Sequence, residues 1–197
     1  MKSIELWFDF SSPYAYLLTE LIEPVAARHG RAVEYRPTLL GAVFKASGGA
    51  PLTDTIKGPY SRRDFERSAR FHQVPFRMPS VFPISTISAA RAVTWLKDAD
   101  PARVAPFIHA AFRAYFVDDR NLSDAAVLAQ VARDAGVDAA AMAQAIATQP
   151  VKDKLKADVD ESIARGVFGA PFVFVDGEAF WGHDRLPQIE RWLQQPF

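Results

Sequence analysis

Apolar positions recur with strand character near both ends of the chain and with helical spacing between them. Ile4-Glu5-Leu6-Trp7-Phe8-Asp9-Phe10 is an apolar run that breaks at Ser11-Ser12-Pro13-Tyr14. A helical pattern follows from Tyr14 to about His29, and Gly30 stops it. Arg31 to Arg36 then alternates as a strand does, and Pro37 closes it. The first forty residues therefore predict β–α–β, a right-handed crossover onto a parallel sheet.

The middle of the chain predicts mostly helices. Leu40 to Lys45 reads as a short helical turn and Ala46 to Pro51 as a loop. Tyr60 to about His72 reads as a charged helix with Phe65, Ala69 and Phe71 inward. Val74 to Pro83 holds too many prolines for helix and must be extended. Further helices are expected from Thr86 to about Asp98, from Pro101 to Phe116 and, with Ser123 as N-cap, to Ala135; another covers Asp138 to Ala147. The end of the chain returns to mixed structure. A helix from Val151 to Arg165 stops at Gly166, and a buried strand follows at Phe172–Val175. Asp176-Gly177 marks a hairpin, Glu178–Trp181 is the return strand, and Asp184 or a neighbour caps a last helix from Leu186 to Leu193.

Composition narrows the function classes. Lys+Arg and Asp+Glu are both 23 in 197 residues, so no net field draws the chain to nucleic acid or an anionic membrane. No apolar stretch approaches the roughly 20 residues that span a bilayer. Met1-Lys2-Ser3 leads into the first strand without a signal-peptide pattern, so a cytoplasmic location is expected. The chain has no cysteine, which excludes disulfides, thiolate metal sites and redox cycling by its own sulfur. Its four histidines lack metal-ligand spacing, and His109 reads as core or surface filling.

The strand-to-helix junction is the main candidate for chemistry. Pro13 suits the first helical position, which puts Ser12 at the N-cap; Ser11 is the competing hydroxyl. Unpaired N–H groups and the helix dipole favour negative charge at such a point. A free thiol is only about 3% ionised at neutral pH, and lowering its pKa by about two units takes roughly 2.7 kcal/mol. A helix start and one hydroxyl are suited to supply that. Read alone, Ser12 is also an ordinary helix cap.

Three segments carry a family resemblance: Phe8-Asp9-Phe10-Ser11-Ser12-Pro13-Tyr14, Gly166-Val167-Phe168-Gly169-Ala170-Pro171, and Phe180-Trp181-Gly182-His183-Asp184-Arg185-Leu186. In this order, on either side of a helical block, they resemble the 2-hydroxychromene-2-carboxylate isomerases, which group with kappa-class glutathione transferases and DsbA-type oxidoreductases. The resemblance implies an α/β thioredoxin-like fold, residues 1–40 and 151–197, with a helical domain inserted at 41–150. Oxidoreductase relatives carry Cys-x-x-Cys where this chain has Ser12-Pro13-Tyr14-Ala15. By resemblance Ser12 holds the thiolate of bound glutathione. The Ala170–Pro171 bond is then cis and turns the Ala170 backbone toward the peptide. The backbone N–H groups of His183 and Asp184, after Gly182, take the γ-glutamyl carboxylate. The Asp184 carboxylate takes the ammonium, with Arg185 orienting it or lying at the surface.

Substrate contacts follow less directly. Gly49 and Ser85 stand where the family commonly has asparagine. Arg36 and Lys45 are candidates for an anionic carboxylate, with Lys57 and Tyr60 behind them; solvated surface cations are the alternative for both. The expected activity is glutathione-dependent isomerisation of a hydroxychromene-carboxylate-like aromatic acid in aromatic-hydrocarbon breakdown, by a homodimer. The alternatives are a kappa-like transferase that consumes glutathione and a non-catalytic thioredoxin-like binding module.

Overall fold

The computed structural model describes residues 3–197. Met1 and Lys2, on which the reading of the N-terminus rests, lie outside the described residues, as does the side chain of Thr53. The strands are β1 (Ile4–Phe8), β2 (Val33–Pro37), β3 (Phe172–Val175) and β4 (Glu178–Trp181). The helices are α1 (Pro13–Arg28), α2 (Leu40–Ser47), α3 (Gly58–Phe71), α4 (Ile87–Ala99), α5 (Val104–Phe116), α6 (Ala125–Asp134), α7 (Ala139–Ala145), α8 (Gln149–Ala164) and α9 (Leu186–Gln194). Short 3-10 turns cover Leu52–Asp54, Pro101–Arg103 and His183–Arg185.

The four strands form one sheet in the order β2-β1-β3-β4. β1 and β2 are parallel with Ile4 opposite Val33 and Phe8 opposite Pro37, and α1 makes the crossover. β3 runs antiparallel to both β1 and β4. Trp7 pairs with Phe172, so the residues just before β3 come to lie beside those just after β1. That register brings the first and second motif-bearing segments together. The main core lies between the sheet and the helices, with Phe8, Phe10, Tyr16, Phe112 and Phe116 fully buried and in ring contact.

Several expectations are corrected. α2 is a full helix ending at Gly48, not a short turn. α6 is capped by Asp124, whose carboxylate accepts from the Ala126 N–H; the Ser123 hydroxyl instead donates to Asn121. Phe71 does not pack inward but is 81% exposed at the end of α3. Of Asp184 and its neighbours, Arg185 takes the N-cap position of α9, without a side-chain cap bond; Asp184 sits inside the 3-10 turn that runs into the helix, and its carboxylate accepts from Arg185. His109 is no filler. It lies between Glu20 (2.6 Å) and Glu23 (3.4 Å) where α5 meets α1, and Arg113 also donates to Glu20.

Arg36 is also corrected. On β2 the side chains alternate, so Tyr35 enters the main core while Arg36 points to the other face of the sheet. There it is opposite Trp7 in register, with its guanidinium 4.7 Å from the Trp7 ring centroid, and it pairs with Glu34 and Glu161. The candidate carboxylate ligand is thus a structural cation of the β2–α8 face.

Candidate active site

Asp9 organises the floor of the site. It is 4% exposed, immediately past β1, and its carboxylate accepts four hydrogen bonds. The donors are the Ser11 N–H (2.8 Å) and hydroxyl (3.0 Å), the Leu40 N–H (2.7 Å) and the Thr86 hydroxyl (2.8 Å). One buried carboxylate therefore ties the end of β1 to the starts of α2 and α4. Of the two serines, Ser11 has its hydroxyl turned to this carboxylate rather than across to the strand that carries Ala170.

Ser12 is the N-cap of α1, with an extended backbone, and its oxygen accepts from the Ala15 N–H at 3.1 Å. Its hydroxyl hydrogen goes to the carbonyl of Ala170 at 2.8 Å. The first-turn N–H of Tyr14 and the N–H of Ala170 have no protein partner among the described residues. The Ala170–Pro171 bond is cis, as the resemblance implied, and so is Phe82–Pro83. The Pro171 carbonyl accepts from the Gly182 N–H at 3.1 Å, which places the start of the His183 turn directly beside the proline.

Two glycines here are sterically required. A Cβ on Gly169 would lie 2.6 Å from Trp181 Nε1. A Cβ on Gly182 would lie 2.5 Å from Asp184 Oδ1, and Gly182 has φ +107°, a conformation that L side chains rarely adopt.

Tyr14 links the second wall. Its ring stacks on His183 with centroids 4.7 Å apart and planes within 6°, and its hydroxyl donates to Asp64 at 2.5 Å. His72 meets His183 edge to face at 5.7 Å. Arg67 donates to Asp64 and, at 3.0 Å, to the Tyr60 hydroxyl. Burial, reinforced by the hydrogen bond to Asp64, pushes the Tyr14 phenol above its ordinary range, so it stays protonated. Burial also pushes the Asp64 carboxyl upward, but the bonds from Tyr14 and Arg67 outweigh it and hold that group low. Burial, aided by His72, keeps the His183 imidazole below its usual value against the pull of Asp184 and Asp64.

These elements enclose a cleft of about 1420 Å³. Ser12, Ala170, Pro171, Gly182, His183, Asp184 and Arg185 all line it, as do Gly49, Ser85 and Tyr60. Arg36, Lys45 and Lys57 do not; Lys45 is exposed on the last turn of α2. Asp9, Asp64, Arg67, His72 and Thr86 line the cleft without having been singled out as site residues. The readable signal for two of these, Asp64 and Arg67, was the stripe Tyr60, Asp64, Arg67, Phe71 at helical steps along α3. No group of histidine and carboxylate side chains among the described residues is arranged to hold a metal ion.

The model of the DSBA-like thioredoxin domain matches residues 3–194. A 2-hydroxychromene-2-carboxylate isomerase of Sphingobium xenophagum is 31% identical over 98% of this chain and 98% of its own. Glutathione S-transferase kappa 2 of Caenorhabditis elegans is 27% identical over 100% of this chain and 93% of its own. Among solved structures, a 2-hydroxychromene-2-carboxylate isomerase superposes with a TM-score of 0.89 at 23% identity, covering 98% of this chain and 95% of that one. The chain belongs to the DsbA-like thioredoxin family and, within it, to the group of the 2-hydroxychromene-2-carboxylate isomerases.

Proposed function

We propose that this protein is a glutathione-dependent isomerase of 2-hydroxychromene-2-carboxylate-like aromatic acids, acting in the breakdown of aromatic hydrocarbons. The observation that carries the reading is the bond from the Ser12 hydroxyl, at the start of α1, to the Ala170 carbonyl. It puts a serine where a thioredoxin-like enzyme would carry its own thiol, facing a backbone edge able to pair with a peptide. Three relatives are named isomerases of this type, one at 31% and two at 25% identity, and others are named kappa-class glutathione transferases.

Glutathione, when bound, supplies the nucleophilic sulfur that a chain without cysteine lacks, and is released unchanged at the end. The residues present fit it. The Ala170 N–H and C=O pair with an extended peptide as an added strand would. A peptide N–H that takes the Ala170 carbonyl displaces the Ser12 hydroxyl, whose hydrogen is then free to donate to an anion. That hydroxyl, the unpartnered Tyr14 N–H and the positive end of α1 act together to hold negative charge. The Asp184 carboxylate receives the γ-glutamyl ammonium. The cleft exceeds the roughly 300–1,000 Å³ of ordinary ligand pockets, so a tripeptide and a bicyclic acid fit side by side.

The test is to incubate a hydroxychromene carboxylate with a small amount of glutathione. Turnover far beyond the glutathione present supports the isomerase. Stoichiometric loss of free thiol supports instead a kappa-like transferase, the reading favoured by the transferase relatives. No thermal shift with millimolar glutathione would leave only a non-catalytic scaffold.

A further inference from the structure

The cleft face of α3 carries Tyr60, Asp64, Arg67 and Phe71, spaced by four, three and four residues, and all four line the cavity. Tyr60 and Phe71 are 62% and 81% exposed. Large rings left open to solvent inside a cleft mark a binding surface more than a folding need. Between them stands Arg67. Its Nη2 donates to both Asp64 and the Tyr60 hydroxyl, and its guanidinium lies 5.4 Å from the Tyr60 ring centroid. Asp64 is itself fixed by the Tyr14 hydroxyl. The guanidinium is therefore held in place from one side, while its Nε and Nη1 donors have no protein partner among the described residues. A fixed guanidinium with a free edge suits a carboxylate. The other cleft arginine, Arg185, is held only by its neighbour Asp184. Arg36 and Lys45 lie outside the cleft.

We propose that Arg67 is the specificity-determining residue of the second ligand: its free edge receives the carboxylate of the aromatic acid, and the rings of Tyr60 and Phe71 cover the acid's ring system. This rests on the isomerase reading for the identity of the acid, but binding requires no turnover, so the two are separable.

The experiment is calorimetric titration of naphthalene-2-carboxylate and naphthalene-2-carboxamide into the protein saturated with glutathione. Arg67→Met is expected to lower the affinity for the carboxylate about tenfold or more, while affinities for the carboxamide and for glutathione stay within about twofold. Arg67→Lys retains part of the preference, since it keeps the charge but loses the fork. Phe71→Ala weakens carboxylate and carboxamide alike, and Lys45→Met changes neither. Unaltered carboxylate binding in Arg67→Met, an equal loss for the carboxamide, or a loss confined to glutathione would each overturn the proposal. If Arg67-dependent binding holds but a hydroxychromene carboxylate is not isomerised, the functional reading fails and the subsite stands.

Discussion

The Ser12 hydroxyl donates a 2.8 Å hydrogen bond to the carbonyl of Ala170, 158 residues further along the chain. Ser12 simultaneously accepts from the Ala15 N–H. Its single oxygen thus serves as helix cap and as the bridge between the two halves of the site.

Asp9 gives the strongest stability prediction. Asp9→Ala removes one acceptor and leaves the Ser11, Leu40 and Thr86 donors facing a buried gap. The expected loss is on the order of 3 kcal/mol by chemical denaturation, with weaker glutathione binding because α2 and α4 lose their anchor to β1. Unchanged stability would show that water replaces the carboxylate at no cost.

Gly182→Ala combines a positive φ with a Cβ only 2.5 Å from Asp184 Oδ1. The strain is expected to cost about 1–3 kcal/mol. The displaced Asp184 carboxylate should weaken glutathione binding beyond that, which titration of the folded variant would detect.

Arg36→Met should separate structure from function. The substitution breaks the pairs with Glu34 and Glu161 and the contact with Trp7, so melting temperature falls. Affinity for glutathione and for aromatic acids should stay the same, because Arg36 does not line the cleft.

His109 sets an alkaline limit on stability. Burial pushes its imidazole downward, but hydrogen bonds and charge from Glu20 and Glu23 outweigh this and raise it from 6.5 to about 9. The folded state therefore binds the proton more tightly than the unfolded chain. The resulting stabilisation, about 3 kcal/mol, is complete below about pH 6.5 and lost as pH rises through about 9. In acid the opposite holds for Glu20 and Glu23, whose carboxyls are held below their ordinary value: their contribution fades as pH falls beneath the carboxylate range. Denaturation curves of His109→Gln should be flatter between pH 6.5 and 9 than those of the native chain.

What the sequence disclosed follows from what is local. The β–α–β start, the Asp176-Gly177 hairpin and the Ser12 cap depend on neighbouring residues, and each lies where the pattern puts it. Residues whose role depends on distant partners were not legible. Asp9 was visible only as part of a motif, because its donors at Leu40 and Thr86 come from segments 31 and 77 positions away. Arg36 was misread because charge alone does not tell which face of a strand looks into a cleft. Phe71 was misread because a ring at a core-like spacing near a helix end fits a binding wall equally well. Ser123 lost the cap to Asp124 by a single position, below the precision of terminal assignments.

The central claim is that Ser12 and the start of α1 stabilise a sulfur anion the chain does not itself possess. The direct measurement is the thiolate absorbance of bound glutathione, titrated against pH in the native protein and in Ser12→Ala. The account predicts ionisation well below the roughly 8.5 of a free thiol in the native protein, and a midpoint about one to two units higher in Ser12→Ala. Identical titrations in the two proteins, with glutathione bound in both, would contradict it.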